Sequence, residues 1–161
     1  MGMSIPRSSK KRKWLRVGLV GVTVSTGIWI AYYVNIRNRE GKSLPESCQQ
    51  ILKPYFPTLD LSKVRVVIGD YLPSYAWAFT PIYDLMVIRP EYWKPETATG
   101  LSMIANELTH IAQWERLGLM FLPTFLYQRF VYGLEKGSIE EESTRMQKLV
   151  YSDLISKGYL V

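Results

Sequence analysis

The sequence predicts an α+β fold. A single N-terminal transmembrane helix is followed by a small domain, in which a short sheet or hairpin packs on a central helix and C-terminal helices. Three observations predict it. Val17 to Ile36 is a run of twenty residues without a charge. Short β-branched runs bounded by turn residues follow between positions 64 and 88. From Thr97 onward, apolar residues recur at spacings of three and four, the period of a helix with one buried face.

The uncharged run comes first. At 1.5 Å per residue, a helix of that length spans about 30 Å, the thickness of a bilayer core. Trp14 stands at one end and Trp29, Tyr32 and Tyr33 toward the other, where aromatic rings suit the two membrane interfaces. Gly21 and Ser25 form a small-xxx-small pair that would let another helix approach closely. Three readings compete: a membrane anchor, a cleaved signal peptide and a buried helix. A signal peptide needs a shorter core and a small-x-small cleavage site. The exit Ala31-Tyr32-Tyr33-Val34-Asn35 lacks that site. A buried helix is an unusual use for such a run between basic clusters. The anchor is therefore the expectation.

Charge supports the same reading. The formal net charge is +6. Residues 1–42 hold nine Lys/Arg and one acid, giving +8, and the remainder carries −2. Six basic residues precede the run, and Arg37, Arg39 and Lys42 follow it. The positive-inside rule then puts the N-terminus in the cytoplasm and the following domain outside it, in the periplasm, as a single-pass protein of the inner or plasma membrane. The expected organisation is a basic tail at 1–16, a transmembrane helix at 17–36, a tether at 37–45 and an extramembrane domain at 46–161. Its expected partners are the lipid bilayer and a larger integral membrane protein. The mildly acidic domain has no basic patch in sequence, which argues against nucleic acid. One cysteine excludes an internal disulfide, and one Cys with one His excludes a Cys/His zinc finger.

Within the domain, Pro45 to Leu52 reads as a short helix stopped by Pro54. Val64 to Ile68 reads as a strand ended by Gly69-Asp70. Ala76 to Thr80 and Leu85 to Ile88 read as two more strands, joined by a hairpin loop over Thr80 to Asp84. Thr97 to Leu117 is the central helix, with Gly118 at its end. Leu119 to Tyr127 is apolar but interrupted by Pro123, which suggests core or an interfacial loop. Glu140 to Ser156 reads as the last helix.

The chemistry-bearing stretch is Ala105-Asn106-Glu107-Leu108-Thr109-His110-Ile111-Ala112-Gln113-Trp114. It resembles the H-E-x-x-H helix of zinc metallopeptidases. There, two imidazoles at i and i+4 share one helix face and reach one Zn²⁺, while the Glu activates the metal-bound water. Glu107 and His110 match, but Asn106 stands where the first His belongs. The wider stretch resembles a family of small bacterial zincin-like domains of gluzincin type, which carry the run H-E-L-T/A-H-V-x-Q-W. That run follows a strand pair ending like Val87-Ile88-Arg89-Pro90. It precedes a Gly, an aromatic-rich loop and a Glu-x-Glu-Ala segment. Here Gly118, Phe121 to Tyr132 and Ile139-Glu140-Glu141-Glu142-Ser143 stand in that order. The resemblance covers roughly residues 60–150 and implies Glu140 as third metal ligand, with Ser143 in place of the family Ala. Three consecutive Glu leave open which one faces the motif helix.

His110 is the only His in the chain, so no other imidazole can replace the missing one. An amide oxygen at Asn106 is a poor zinc ligand beside imidazole or thiolate. Plainer readings stand beside the metal reading. His110 can serve as a core histidine bonded to a backbone carbonyl, or at an interface. Glu107 can pair with His110 or Arg145, and the three Glu can simply favour a helix start. Trp114, Phe121, Phe125, Tyr127, Phe130 and Tyr132 suit core or interface packing, and an exposed aromatic group would mark a binding surface. Two functions follow. One is a non-catalytic zincin-like domain acting as an accessory subunit of a membrane protein complex, with no cofactor. The alternative is a membrane-anchored peptidase in which Asn106, His110 and Glu140 hold zinc and Glu107 is the base.

Overall fold

Two short β-branched runs supply the middle of the molecule. A computed structural model, describing residues 27–28, 30–72, 76–133 and 137–161, places strands β1 at Lys42–Ser43, β2 at Arg65–Ile68, β3 at Ala78–Ile82 and β4 at Leu85–Ile88. The sheet order is β1-β2-β4-β3. The β2–β4 pair is parallel, and the β1–β2 and β3–β4 pairs are antiparallel. Side chains alternate between the faces of a strand. Met86, Ile88 and Val66 accordingly pack on one helical layer, and Leu85, Val87 and Val67 on the opposite side. All four residues of β4 are buried. A parallel pair that is apolar on both faces needs cover on both.

The first layer is the central helix α3 (Ala98–Leu117), with α2 (Glu46–Leu52) and α5 (Ser138–Ser156) beside it. Leu101, Ile104, Ala105, Leu108 and Ile111 form the α3 stripe in the main core. The Thr97 hydroxyl caps the helix by accepting the Gly100 N–H at 3.0 Å. Gly118 ends it at a φ of 55°, a conformation that favours glycine. Helix α4 (Phe121–Tyr132) follows one 3₁₀ turn. Pro123 lies in its first turn, where a missing N–H costs nothing, so the segment is a helix and not an interrupted loop.

The second layer is α1, helical at 27–28 and 30–40. Tyr33 and Ile36 are 2% and 7% exposed, packed among Val67, Leu72, Ile82, Leu85 and Val87. Arg37 closes the helix end with an ion pair to Asp84 at 2.6 Å. This corrects the transmembrane helix expected at 17–36 and the single-pass membrane location built on it. Among the described residues, no helix is long and apolar enough to cross a membrane. At the end of the uncharged run Tyr33 and Ile36 cover the sheet, while Ile28, Tyr32 and Val34 stay exposed. Of the expected membrane residues, Tyr33 is core and Tyr32 is exposed. Trp14, Gly21, Ser25 and Trp29, like the basic tail, lie outside the described residues.

The remaining expectations fall close to the observed elements. The expected tether carries the last turns of α1 and the short β1. Strand β3 starts two residues later than expected, and the hairpin turn tightens to Tyr83-Asp84. A register shift between Phe79 and Ile82 places one extra residue in β3. That bulge accommodates Pro81 on an edge strand. It also sends Thr80 toward α3 while Phe79 and Ile82 both join the α1 side.

Candidate functional site

A helix turns 100° per residue, so Met103, Asn106, Glu107, His110, Gln113 and Trp114 share about one third of the α3 circumference. This arc faces β3, α4 and α5. Its Met103, Asn106, Glu107 and His110 line a cavity of about 420 Å³ walled by Trp77, Phe79, Phe121, Phe125 and Leu126. The floor groups are Asn106, Glu107, His110, Glu140 and Gln147.

Glu107 is buried, and its Oε2 lies 2.7 Å from the Thr80 hydroxyl. The same hydroxyl lies 3.2 Å from the Glu107 carbonyl oxygen. The hydroxyl donates to the carboxyl oxygen, with the carbonyl oxygen as a longer second acceptor. Burial pushes the Glu107 carboxyl up to about 8, outweighing the Thr80 hydrogen bond, and the Glu140 charge adds to the rise.

His110 is buried with its Nδ1 at 2.8 Å from Gln113 Oε1. Gln113 Nε2 donates to the Ile139 carbonyl at 2.9 Å and to Glu142 Oε2 at 3.0 Å. Both are acceptors, so the Gln113 oxygen faces the ring and the ring donates from Nδ1. Burial lowers the His110 pKa and keeps the imidazole neutral. Its Nε2 therefore carries a lone pair, 3.8 Å from Glu140 Oε2. The edges of Phe121 and Phe125 enclose the ring, with centroids 6.1 and 6.2 Å away.

Asn106 Nδ2 donates to Gln147 Oε1 on α5 at 3.3 Å. Glu142 takes two hydrogen bonds from Arg116, at 3.1 and 2.7 Å, which hold its carboxyl below the ordinary value. Glu141 is exposed and lines a separate surface with Arg145 and Lys148. Of the three consecutive acids, Glu140 is thus the one against His110. Ser143 is fully buried, with its hydroxyl donating to the Glu140 carbonyl at 3.0 Å. No family model, curated protein or solved structure matches the chain.

Sequence reasoning named Asn106, Glu107, His110 and Glu140, and all four line one cavity. Glu107 pairs with Thr80 and not with His110 or Arg145. The His110 partner is a glutamine side chain and not a backbone carbonyl. Thr80 and Gln147 carried no signal in the sequence. Gln113 did, as the residue three places after His110, where a helix brings two side chains together. Zinc fits this set poorly. A catalytic site uses three good protein ligands. Here there is one imidazole and one carboxylate beside it, and the third group, Asn106, offers only a neutral amide oxygen. Among the described residues, no three His, Cys, Asp or Glu side chains group to hold a metal.

Proposed function

We propose that this is a binding domain on a zincin-like frame, an accessory subunit that receives an apolar group of a larger partner protein in the α3 cavity. One observation carries the reading: the floor brings together one imidazole and one carboxylate, 3.8 Å apart, with only the neutral Asn106 amide beside them, while Glu107, the group a peptidase would use as base, is bonded to Thr80 within the domain. A catalytic metal takes three good protein ligands and a base free to meet its water. Aromatic walls above such a floor suit occupation by an apolar group.

The peptidase alternative draws on one contact, the 3.8 Å approach of His110 Nε2 to Glu140 Oε2. The experiment is metal analysis of the purified full chain after exhaustive dialysis, paired with pull-down of partners by wild type and by Phe125→Asp. The binding reading expects zinc well below one per chain and a defined partner lost in the variant. Stoichiometric zinc that disappears in His110→Ala would overturn it.

A further inference from the structure

We infer that the α3 cavity is a receptor for a neutral aromatic alcohol, the phenol ring of a tyrosine side chain or of a free small molecule. The inference rests on the binding reading above and names the chemistry of the occupant.

The floor offers one buried acceptor. His110 is buried and lines the cavity. Its Nδ1–H is spent on Gln113, whose Nε2 donates to Ile139 and Glu142. Nε2 therefore holds a lone pair, and among the described residues no donor reaches it. A buried acceptor without a donor costs stability, and a ligand hydroxyl about 2.8 Å away supplies one.

A donor stands one turn earlier. Glu107 lines the same cavity three residues before His110, a spacing that puts both side chains on one helix face. Thr80 donates to its Oε2. Burial pushes this carboxyl up to about 8, so at neutral pH it keeps a proton, carried on Oε1. A hydroxyl both accepts and donates, and it answers this pair with a single group. An indole N–H meets only the acceptor.

Charge does not select the occupant. Glu140 and Arg129 also line the cavity, but they are opposite in sign and each has a further interaction within the fold. The walls select a ring. Trp77, Phe79, Phe121 and Phe125 surround the space. Phe121 and Phe125 stack with 5.9 Å between centroids and 16° between planes. Aromatic rings pair offset or edge to face at about 4.5–7 Å, and a phenol is the flat, rigid alcohol that extends such a set. The volume of about 420 Å³ lies within the range of small-ligand pockets and holds the ring with part of its stem.

The test titrates the full chain with p-cresol, p-methylanisole, toluene and benzylammonium, followed by calorimetry and by the NMR signals of the single His110 ring. The anisole keeps the ring and the oxygen but has no proton to donate. The inference expects p-cresol to bind about tenfold tighter than the anisole or toluene, and to be the one neutral probe that shifts the His110 Nε2 resonance. His110→Phe keeps a ring and removes the acceptor, so p-cresol should lose its advantage there while toluene binding holds. If that variant does not fold, the Nε2 shift in the wild-type chain decides the same point. A short peptide with one internal tyrosine, and its O-methyltyrosine counterpart, identify the source. Peptide binding that is lost on methylation marks a protein source, and binding of p-cresol without the peptide marks a small molecule. Either result supports the inference. Equal binding of p-cresol, the anisole and toluene, or a preference for benzylammonium, overturns the phenol assignment and leaves the receptor reading standing. Absence of binding by every probe overturns the inference, and stoichiometric zinc beside it overturns the receptor reading as well.

Discussion

Glu107 makes the fold sensitive to alkaline pH, and Glu107→Gln should remove that sensitivity. The carboxyl is buried under the Thr80 hydroxyl, with Glu140 facing it from α5 and His110 one turn further along α3. Its pKa is about 8 in the fold against an ordinary 4.5. The native state therefore holds a proton that the unfolded chain releases. Stability from this group is complete below pH 4.5, falls through the window up to pH 8, and is gone above it. At about 1.4 kcal/mol per pH unit, the full loss is about 5 kcal/mol, most of it between pH 5 and pH 9. That is a large share of the about 5–15 kcal/mol that holds an ordinary domain together. His110, whose pKa is lowered by burial, acts in the opposite direction below its ordinary 6.5. It is common to both proteins and cancels in their difference.

The assay is urea unfolding of wild type and Glu107→Gln at intervals from pH 5 to pH 9, followed by tryptophan fluorescence. Glutamine keeps the shape and a hydrogen-bonding end but has no proton to lose. The wild-type midpoint should fall by about 1–4 M urea relative to the variant across that range. Parallel midpoints across the whole range would refute a protonated Glu107.

Three further outcomes are expected. Ile36→Ala should cost about 2–5 kcal/mol in the same unfolding assay, because the side chain is 7% exposed beneath the sheet; an effect below about 0.5 kcal/mol would contradict α1 as a core helix. Thr80→Val leaves the buried Glu107 carboxyl without its partner and should cost about 1–3 kcal/mol, with Thr80→Ser largely restoring stability. Asn106→His places a second imidazole one turn before His110, in the cavity that Glu140 also lines, so metal analysis should find close to one zinc per chain; failure to gain zinc would mean that the three side chains do not converge on one point.

Much of the fold is written locally. Leu85–Ile88 is bounded by turn residues and is a strand with those ends. The three-and-four spacing that starts after Thr97 is α3, with its cap and its terminal glycine in place. Helix α4 was harder to see, since Pro123 reads as a break until it is known to lie in a first turn. The uncharged run through Ile36 carries a real ambiguity. Lipid and the back of a sheet both select apolar residues, and only tertiary contact separates them. Tyr33 and Ile36, three apart on one face, are the part that meets the sheet. The site divides in the same manner. Four residues were legible because a helical motif names them together. Thr80 was not, because a one-residue bulge decides which face it occupies, and the bulge follows from Pro81 and pairing with β4.

The polar arc of α3 also holds the layers together. Two neighbours of α3 are tied to the polar arc: β3 through the Thr80 hydroxyl, and α5 through the Gln147 and Glu142 side chains and the Ile139 carbonyl. Buried polar groups cost stability unless bonded, so such ties hold the layers in one register. His110 joins this set through one ring nitrogen. Here Nδ1 is committed to Gln113, while the closest carboxylate oxygen to Nε2 lies at 3.8 Å, beyond hydrogen-bond reach.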